Sequence, residues 1–300
     1  MLRLFEKINL GNTCISLVQQ NVYAIIKMQN MHTHTCEYHH SMGVFHGAMT
    51  EIMGTRFDIV LSTPEKELAE QTWASIVLLL SKLDKMLNRF NPQSELSKIN
   101  AEAYQNAVVP TSEMLSVLQL CAAYHRKTCG YFDVSMHDFS TVHIDEKAKT
   151  VRFSEKTSLD LGGFAKGYAM RKICQIIRNE GFENAFVDFG RSSIAAFGHH
   201  PYGDCWKVSI GNPFDNDKVL DEFELRNVSL STSGNTPTYS GHIIDPISGK
   251  YLDERKMVCV VAADALDAEI LTTALMVAPG VEQERIVQNF EIETKIEYYL

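Results

Sequence analysis

Asp160-Leu161-Gly162-Gly163-Phe164-Ala165-Lys166-Gly167-Tyr168-Ala169 is the stretch on which the reading of this chain turns. An aspartate closes an extended run, two glycines let the backbone come close to a neighbour, and a lysine follows about one helical turn later. A glycine-rich loop at a helix start offers free N–H groups and the positive end of the helix dipole, which suits phosphates or a metal–phosphate cluster. Lys166 adds a mobile point charge. A turn that needs glycine only for its backbone angles produces the same letters. In either case the chain passes from extended to helical here, and the helix runs from Gly163 to Glu180, where Gly181 stops it.

Upstream, Val44 to Leu61 reads as two strands, with apolar alternation in Arg56-Phe57-Asp58-Ile59-Val60-Leu61. Pro64 opens a helix with Glu65 and Glu67 in its first turn; Leu68, Trp73, Ile76, Val77, Leu80, Leu83 and Leu87 then recur at helical spacing. Thr111 to Cys129 forms another helix, stopped by Gly130. Downstream, 185–189 and 206–210 read as strands, Met257 to Ala263 as a β-branched buried strand, Ala265 to Val277 as a helix, and Ile292 to Tyr299 as a closing strand. With no internal repeat and no linker, residues 44 to 300 are expected to form one compact α+β domain, with mixed and antiparallel sheets flanked by helices. Residues 1 to 43 look different: His32, His34, His39 and His40 lie near Cys36, among Met28, Met31 and Met42. Such a cluster can bind metal, but no apolar period organises it, so a poorly ordered leader is expected.

The 300 residues are 45% apolar and 22% charged, ordinary for an enzyme. Net charge is −9 with no basic run, which argues against nucleic-acid binding and requires any phosphate site to be built locally. Cys14, Cys36, Cys121, Cys129, Cys174, Cys205 and Cys259 fit neither a zinc site nor a disulfide framework and read as reduced thiols. No run approaches the ~20 apolar residues of a membrane span, so no transmembrane segment is expected. Leu2, Leu4 and Phe5 are soon interrupted by Glu6, Lys7 and Asn9, so no signal peptide is evident and the chain reads as cytoplasmic.

Four further segments hold candidate chemistry. His242 and Asp245, in Gly241-His242-Ile243-Ile244-Asp245-Pro246-Ile247-Ser248-Gly249, sit where a strand enters a tight turn, and a histidine there can serve as a general base or simply as a surface residue. Glu269 and Thr273 are four apart on one helix face; a carboxylate plus a hydroxyl suits Mg²⁺, or a dipole-favoured acid and a threonine bonded to the preceding turn. Ser229-Leu230-Ser231-Thr232-Ser233-Gly234-Asn235 carries clustered hydroxyls that suit a phosphate or ribose pocket or a polar loop. Met53-Gly54-Thr55 pairs with Asn88 to Asn100, in which Arg89 and Phe90 leave a helix, the chain turns at Asn91-Pro92, and Ser94 starts a short helix.

Together and in order, these pieces resemble the ApbE family, the FAD:protein FMN transferases. The resemblance rests on Met53-Gly54-Thr55, Ser94 to Ser97 with Asn100, Gly130-Tyr131-Phe132-Asp133, Asp160 to Ala169, Thr232-Ser233-Gly234, His242 to Pro246 with Gly249, and Ala268 to Leu275, spanning nearly everything after residue 50. It implies an α+β fold likened to the T-fold, and an enzyme that binds FAD and Mg²⁺. Such enzymes release AMP and attach FMN to a threonine or serine of an acceptor flavoprotein. By resemblance the Gly163 carbonyl, Glu269 and Thr273 hold the metal. Met53, Phe90, Tyr131, Phe132, Asp133, Asp160, Lys166, Thr232 and Ile244 meet FAD, and His242 deprotonates the acceptor with Asp245 shaping its turn.

Four features depart from the family pattern. The metal position has Glu269 where aspartate is usual. The segment Ser135 to Ser158 is short. A Gly-Gly-Asp appears as Gly190-Arg191-Ser192, and the export signal that most members carry is not evident. These departures leave room for a non-catalytic FAD carrier or an FAD pyrophosphatase as the second reading.

Overall fold

The computed structural model describes residues 33–238 and 241–300. Alternation in the sequence becomes two faces of one sheet. In 56–61, Phe57, Ile59 and Leu61 are buried while Arg56, Asp58 and Val60 point the other way. Numbered along the chain, β1 (His34–His39), β2 (Val44–Ile52), β3 (Thr55–Ser62), β6 (Asn184–Phe189), β7 (Ser193–Phe197), β10 (Val228–Gly234), β13 (Lys256–Ala262) and β14 (Ile292–Tyr299) stand side by side in that order. Every neighbouring pair is antiparallel. Three two-stranded ribbons complete the strands: β4 (Val142–Asp145) with β5 (Thr150–Phe153), β8 (Trp206–Asn212) with β9 (Asp215–Leu225), and β11 (Ile244–Asp245) with β12 (Lys250–Tyr251).

The helices are α1 (Lys66–Leu87), α2 (Glu95–Glu102), α3 (Ser112–Lys127), α4 (Gly162–Asn179), α5 (Ala265–Val277) and α6 (Gly280–Val287). α1 and α5 cover one face of the sheet. Trp73 of α1 stacks on Phe57, and the register Phe57–Phe189, Phe189–Ser193, Ser193–Ser231 carries that face across to α5. The β8–β9 ribbon covers the other face, where Trp206, Val208, Ile210 and Leu225 pack on Ile194, Leu230 and Val261. β13 therefore has both faces buried, which is why it reads as an unbroken apolar run.

The domain starts earlier than the sequence placed it. β1 pairs with β2 from His34–Met49 to His39–Val44, and Tyr38 Oη donates to the Thr63 carbonyl at 2.8 Å. An edge strand needs only ladder hydrogen bonds and so shows no apolar period. Residues 1–32 of the expected leader lie outside the described residues. α1 begins at Lys66 because Thr63 Oγ1 accepts the Glu65 N–H at 3.1 Å, an alternative to a helical start at Pro64. Ser94, Thr111 and Asp264 each cap a helix with a side-chain oxygen. Cys121, Cys174 and Cys259 are buried free thiols, and burial pushes Cys174 and Cys259 up to about 12. Among the described residues no helix is long and apolar enough to cross a membrane.

Candidate functional site: the junction of two helices

Glycine lets α4 lie directly on α5. A Cβ at Gly167 would stand 2.6 Å from Glu269 Cβ and 3.2 Å from Leu266 Cα; one at Gly163 would stand 3.3 Å from Thr273 Oγ1. Segments a hundred residues apart in sequence thus form one wall, with the Phe132 ring 3.8 Å from the same Gly163 position. Arg171 fastens the far end of this junction. Its guanidinium grips Asp264, the cap of α5, at 2.7 to 3.0 Å and reaches Tyr124 Oη, which in turn donates to Asp267.

Glu269 is the centre of the wall and only 4% exposed. Its Oε1 is ion-paired with Lys166 Nζ, and its Oε2 accepts from Ser193 Oγ of β7 and from Ser231 Oγ of β10, the latter at 2.9 Å. A carboxylate this deep stays charged only with a cation and hydrogen bonds around it. Ser233 Oγ donates to Thr272 Oγ1 at 2.9 Å, and the Thr272 and Thr273 hydroxyls donate back to the Glu269 carbonyl at 2.9 and 3.1 Å. The strand alternation of β10 aims Ser231 and Ser233 at α5.

At the start of α4, Asp160 Oδ1 accepts the Gly162 N–H at 2.8 Å, and Oδ2 pairs with Arg89 Nη1 at 3.1 Å. Asn100 clamps the approach by exchanging two hydrogen bonds with the Leu159 backbone, at 2.8 and 3.0 Å. Arg89 lies over the Phe90 ring, 4.8 Å from its centroid, and Phe90 is 80% exposed. Together with Pro92, Ser97, Asn100 and Ser158 they line a cleft of about 590 Å³.

The β11–β12 ribbon carries the histidine turn. Asp245 shapes it: Oδ1 accepts the Ile247 N–H at 3.0 Å, Oδ2 accepts from Ser248 Oγ at 2.6 Å, and its carbonyl accepts the Gly249 N–H at 2.8 Å. Asn235, at the end of β10, ties down the return strand through the Leu252 and Glu254 carbonyls. Partial desolvation, and then the Lys166 ammonium, hold His242 below the usual histidine range. His242 thus lies within electrostatic reach of the Lys166–Glu269 pair. Burial and the carboxylates of Glu282 and Asp245 raise Tyr131 above the usual phenol range.

Residues 53–143 and 136–299 match the sequence model of the ApbE family. The chain belongs to the ApbE family. It is 24% identical to an FAD:protein FMN transferase of Chlamydia muridarum over 255 residues, 72% of this chain and 77% of that protein. A Vibrio cholerae protein of the same description is 23% identical over 264 residues, 75% of this chain and 79% of that one. The flavin transferase ApbE from Vibrio cholerae superposes on the fold with a TM-score of 0.70 at 19% identity, covering 89% of this chain and 96% of that structure.

Seen as an ApbE-family chain, the structure brings together Gly163, Lys166, Glu269, Thr273 and Phe132 at the helix junction. It puts Phe90 on the neighbouring cleft, Asp160 against the Arg89 that lines that cleft, and Ile244 in the ribbon opposite Tyr251. Met53, at φ +48°, forms the β2–β3 turn. That turn is joined to the β6–β7 turn by the Gly190 N–H on the Arg56 carbonyl at 2.8 Å, at the sheet end where Ser193 starts β7.

Two residues expected to meet the ligand are directed elsewhere than the α4–α5 junction. The Asp133 carboxylate is 1% exposed and used up by its own loop, accepting from Ser135 N and Oγ and from Phe139 N at 2.6 to 3.0 Å. It shapes the wall beside Phe132. Thr232 pairs with Cys259 and alternates onto the face away from α5, so the hydroxyls at the junction belong to its neighbours. Ser193 was not singled out in the sequence, and Ser231 only as one hydroxyl of the Ser229 to Asn235 cluster. The signal for Ser231 is the period-two spacing of Ser229, Ser231 and Ser233, which marks one strand face.

The Glu269 carboxylate and the Thr273 hydroxyl offer hard oxygens from α5 where it faces Gly163 of α4, whose carbonyl is the expected third ligand. Among the described residues no cluster of three or more His, Cys, Asp or Glu competes as a metal site. One carboxylate with neutral oxygens fits Mg²⁺, which keeps waters and takes the rest of its shell from substrate phosphates. The residues present fit the ion, on condition that Lys166 yields Oε1.

Proposed function

We propose that this chain transfers FMN from FAD to a serine or threonine hydroxyl of an acceptor flavoprotein and releases AMP. The observation that carries the reading is the apposition of Gly163 to Thr273 and of Lys166 to Glu269, since family membership alone does not require a working site. In the reaction the acceptor oxygen bonds to the FMN phosphorus as the bond from that phosphorus to the bridging oxygen breaks. The bridging oxygen leaves with AMP.

His242, held neutral at physiological pH by its surroundings, takes the acceptor proton. Lys166 and the N–H groups at the start of α4 meet pyrophosphate charge. Arg89 and Phe90 offer a planar cation and a ring to the flavin or adenine. Gly163, Glu269 and Thr273 would hold Mg²⁺, which would supply charge neutralisation at the pyrophosphate.

The test is incubation with FAD, Mg²⁺ and a threonine- or serine-bearing acceptor. Release of AMP with FMN covalently on the acceptor is expected. Tight FAD binding without AMP refutes transfer in favour of a carrier, and AMP with free FMN, independent of acceptor, refutes it in favour of a pyrophosphatase.

A further inference from the structure

Glu269 and Lys166 raise a question that the transfer reaction does not answer. The oxygen that would bind a divalent ion, Glu269 Oε1, already holds an ammonium. The two serines on Oε2 are neutral, so among the described residues Lys166 is the cationic partner of this buried carboxylate. Glu269 is locked on every side, yet the Lys166 side chain keeps 22% of its surface exposed and has a path out.

We propose that Lys166 is a resident stand-in cation, which Glu269 exchanges for the divalent ion only when a dinucleotide's phosphates are present to receive the ammonium. This rests on the metal assignment of the proposed function and adds a coupling to it. An ammonium and a divalent ion on the same oxygen repel each other at close range, so binding of the ion favours displacement of the lysine. A phosphate that accepts the displaced lysine favours the ion, and by linkage the ion favours the dinucleotide by the same factor.

The glutamate at this position fits the device. Its extra methylene lets one carboxylate span from Lys166 on α4 to Ser193 and Ser231 on the sheet, keeping the group satisfied while no metal is bound. The protein then has no need of free Mg²⁺ to fold, and does not hold the ion idle.

The experiment is calorimetric titration of Mg²⁺ into the FAD-free protein, with Lys166→Met compared to wild type. Lys166→Met should bind Mg²⁺ at least about tenfold more tightly, the size of an ordinary coupling. Equal or weaker binding by the variant overturns the exchange while leaving the metal assignment standing. Absence of binding in both proteins overturns the exchange, and absence of binding with FAD present as well overturns the metal assignment.

If Lys166→Met does not fold, melting curves of the wild type decide instead. Mg²⁺ alone should barely raise Tm, and Mg²⁺ with FAD should raise it by more than the two separate increments together; additive increments overturn the proposal. AMP release is measured apart from these comparisons and bears only on transfer.

Discussion

Replacing Glu269 with alanine removes the acceptor that three groups share. Ser193 and Ser231 are almost fully buried, and an unmet buried hydroxyl costs about 1–3 kcal/mol. Ser231 keeps a second partner, Thr272 Oγ1 at 3.4 Å, so its share falls at the low end. Breaking a buried ion pair by deleting one partner costs about 3–5 kcal/mol, but Lys166 can turn to water, which again favours the low end. At the low end of each range the sum is about 5 kcal/mol, or a Tm drop of roughly 10–20 °C for a domain of this size.

Differential scanning fluorimetry and urea melts in chelator test this. Glu269→Gln, which keeps the volume and one acceptor, should lose roughly half as much. In the double variant Lys166→Met/Glu269→Gln the losses should be less than additive, since both changes remove one pair. A Tm drop below roughly 2 °C for Glu269→Ala would refute the reasoning. It would mean that the carboxylate is not the polar centre of the α4–α5 wall. Turnover by these variants must be assayed well below the lowered Tm, or lost folding will pass for lost chemistry.

Gly167→Ala puts a methyl group 2.6 Å from Glu269 Cβ and should cost about 1–3 kcal/mol by overpacking, read as a lower urea midpoint at unchanged slope. Glu297 is pushed up by burial, but hydrogen bonds and charge from Lys256 and Lys295 outweigh this and hold its carboxyl below the usual range. Its stabilisation is therefore complete above about pH 4.5 and lost as pH falls through the lower folded value; Glu297→Gln should flatten that acid limb in pH-dependent melts. Since His242 lies below its usual value, the acid limb of kcat/KM should inflect below about pH 6.5 and vanish, with most of the rate, in His242→Ala.

What the sequence revealed of this fold follows from which forces leave a periodic trace. α5 stands where the letters put it because it is apolar on nearly every side, and β14 because its residues alternate along the strand. β7, Ser193–Phe197, was not visible: it is five residues long and buried throughout, so it has no alternation and no helical period. β9 was hidden for the opposite reason, since Asp215, Asp217, Asp221, Glu222 and Glu224 mask a strand held mainly by its ladder to β8. β1 escaped because an edge strand can be ordered by backbone bonds alone.

The site divides along the same line. Gly163, Glu269 and Thr273 were legible as motif letters, and their meeting depends on glycine, whose lack of a Cβ is itself a letter. Asp133 and Thr232 were legible as polar letters, but the direction of a side chain is set by loop hydrogen bonds and strand phase, which a short motif does not carry. Ser193 and Ser231 lie at the other extreme. Ser193 belongs to no motif, Ser231 only to a loose hydroxyl cluster, and they matter because a buried carboxylate must have acceptor sites filled from somewhere. Asking of Glu269 what could neutralise it, before asking what it could bind, would have led to Lys166 and to the serine face of β10. The same question separates a metal ligand that waits empty from one that is held closed.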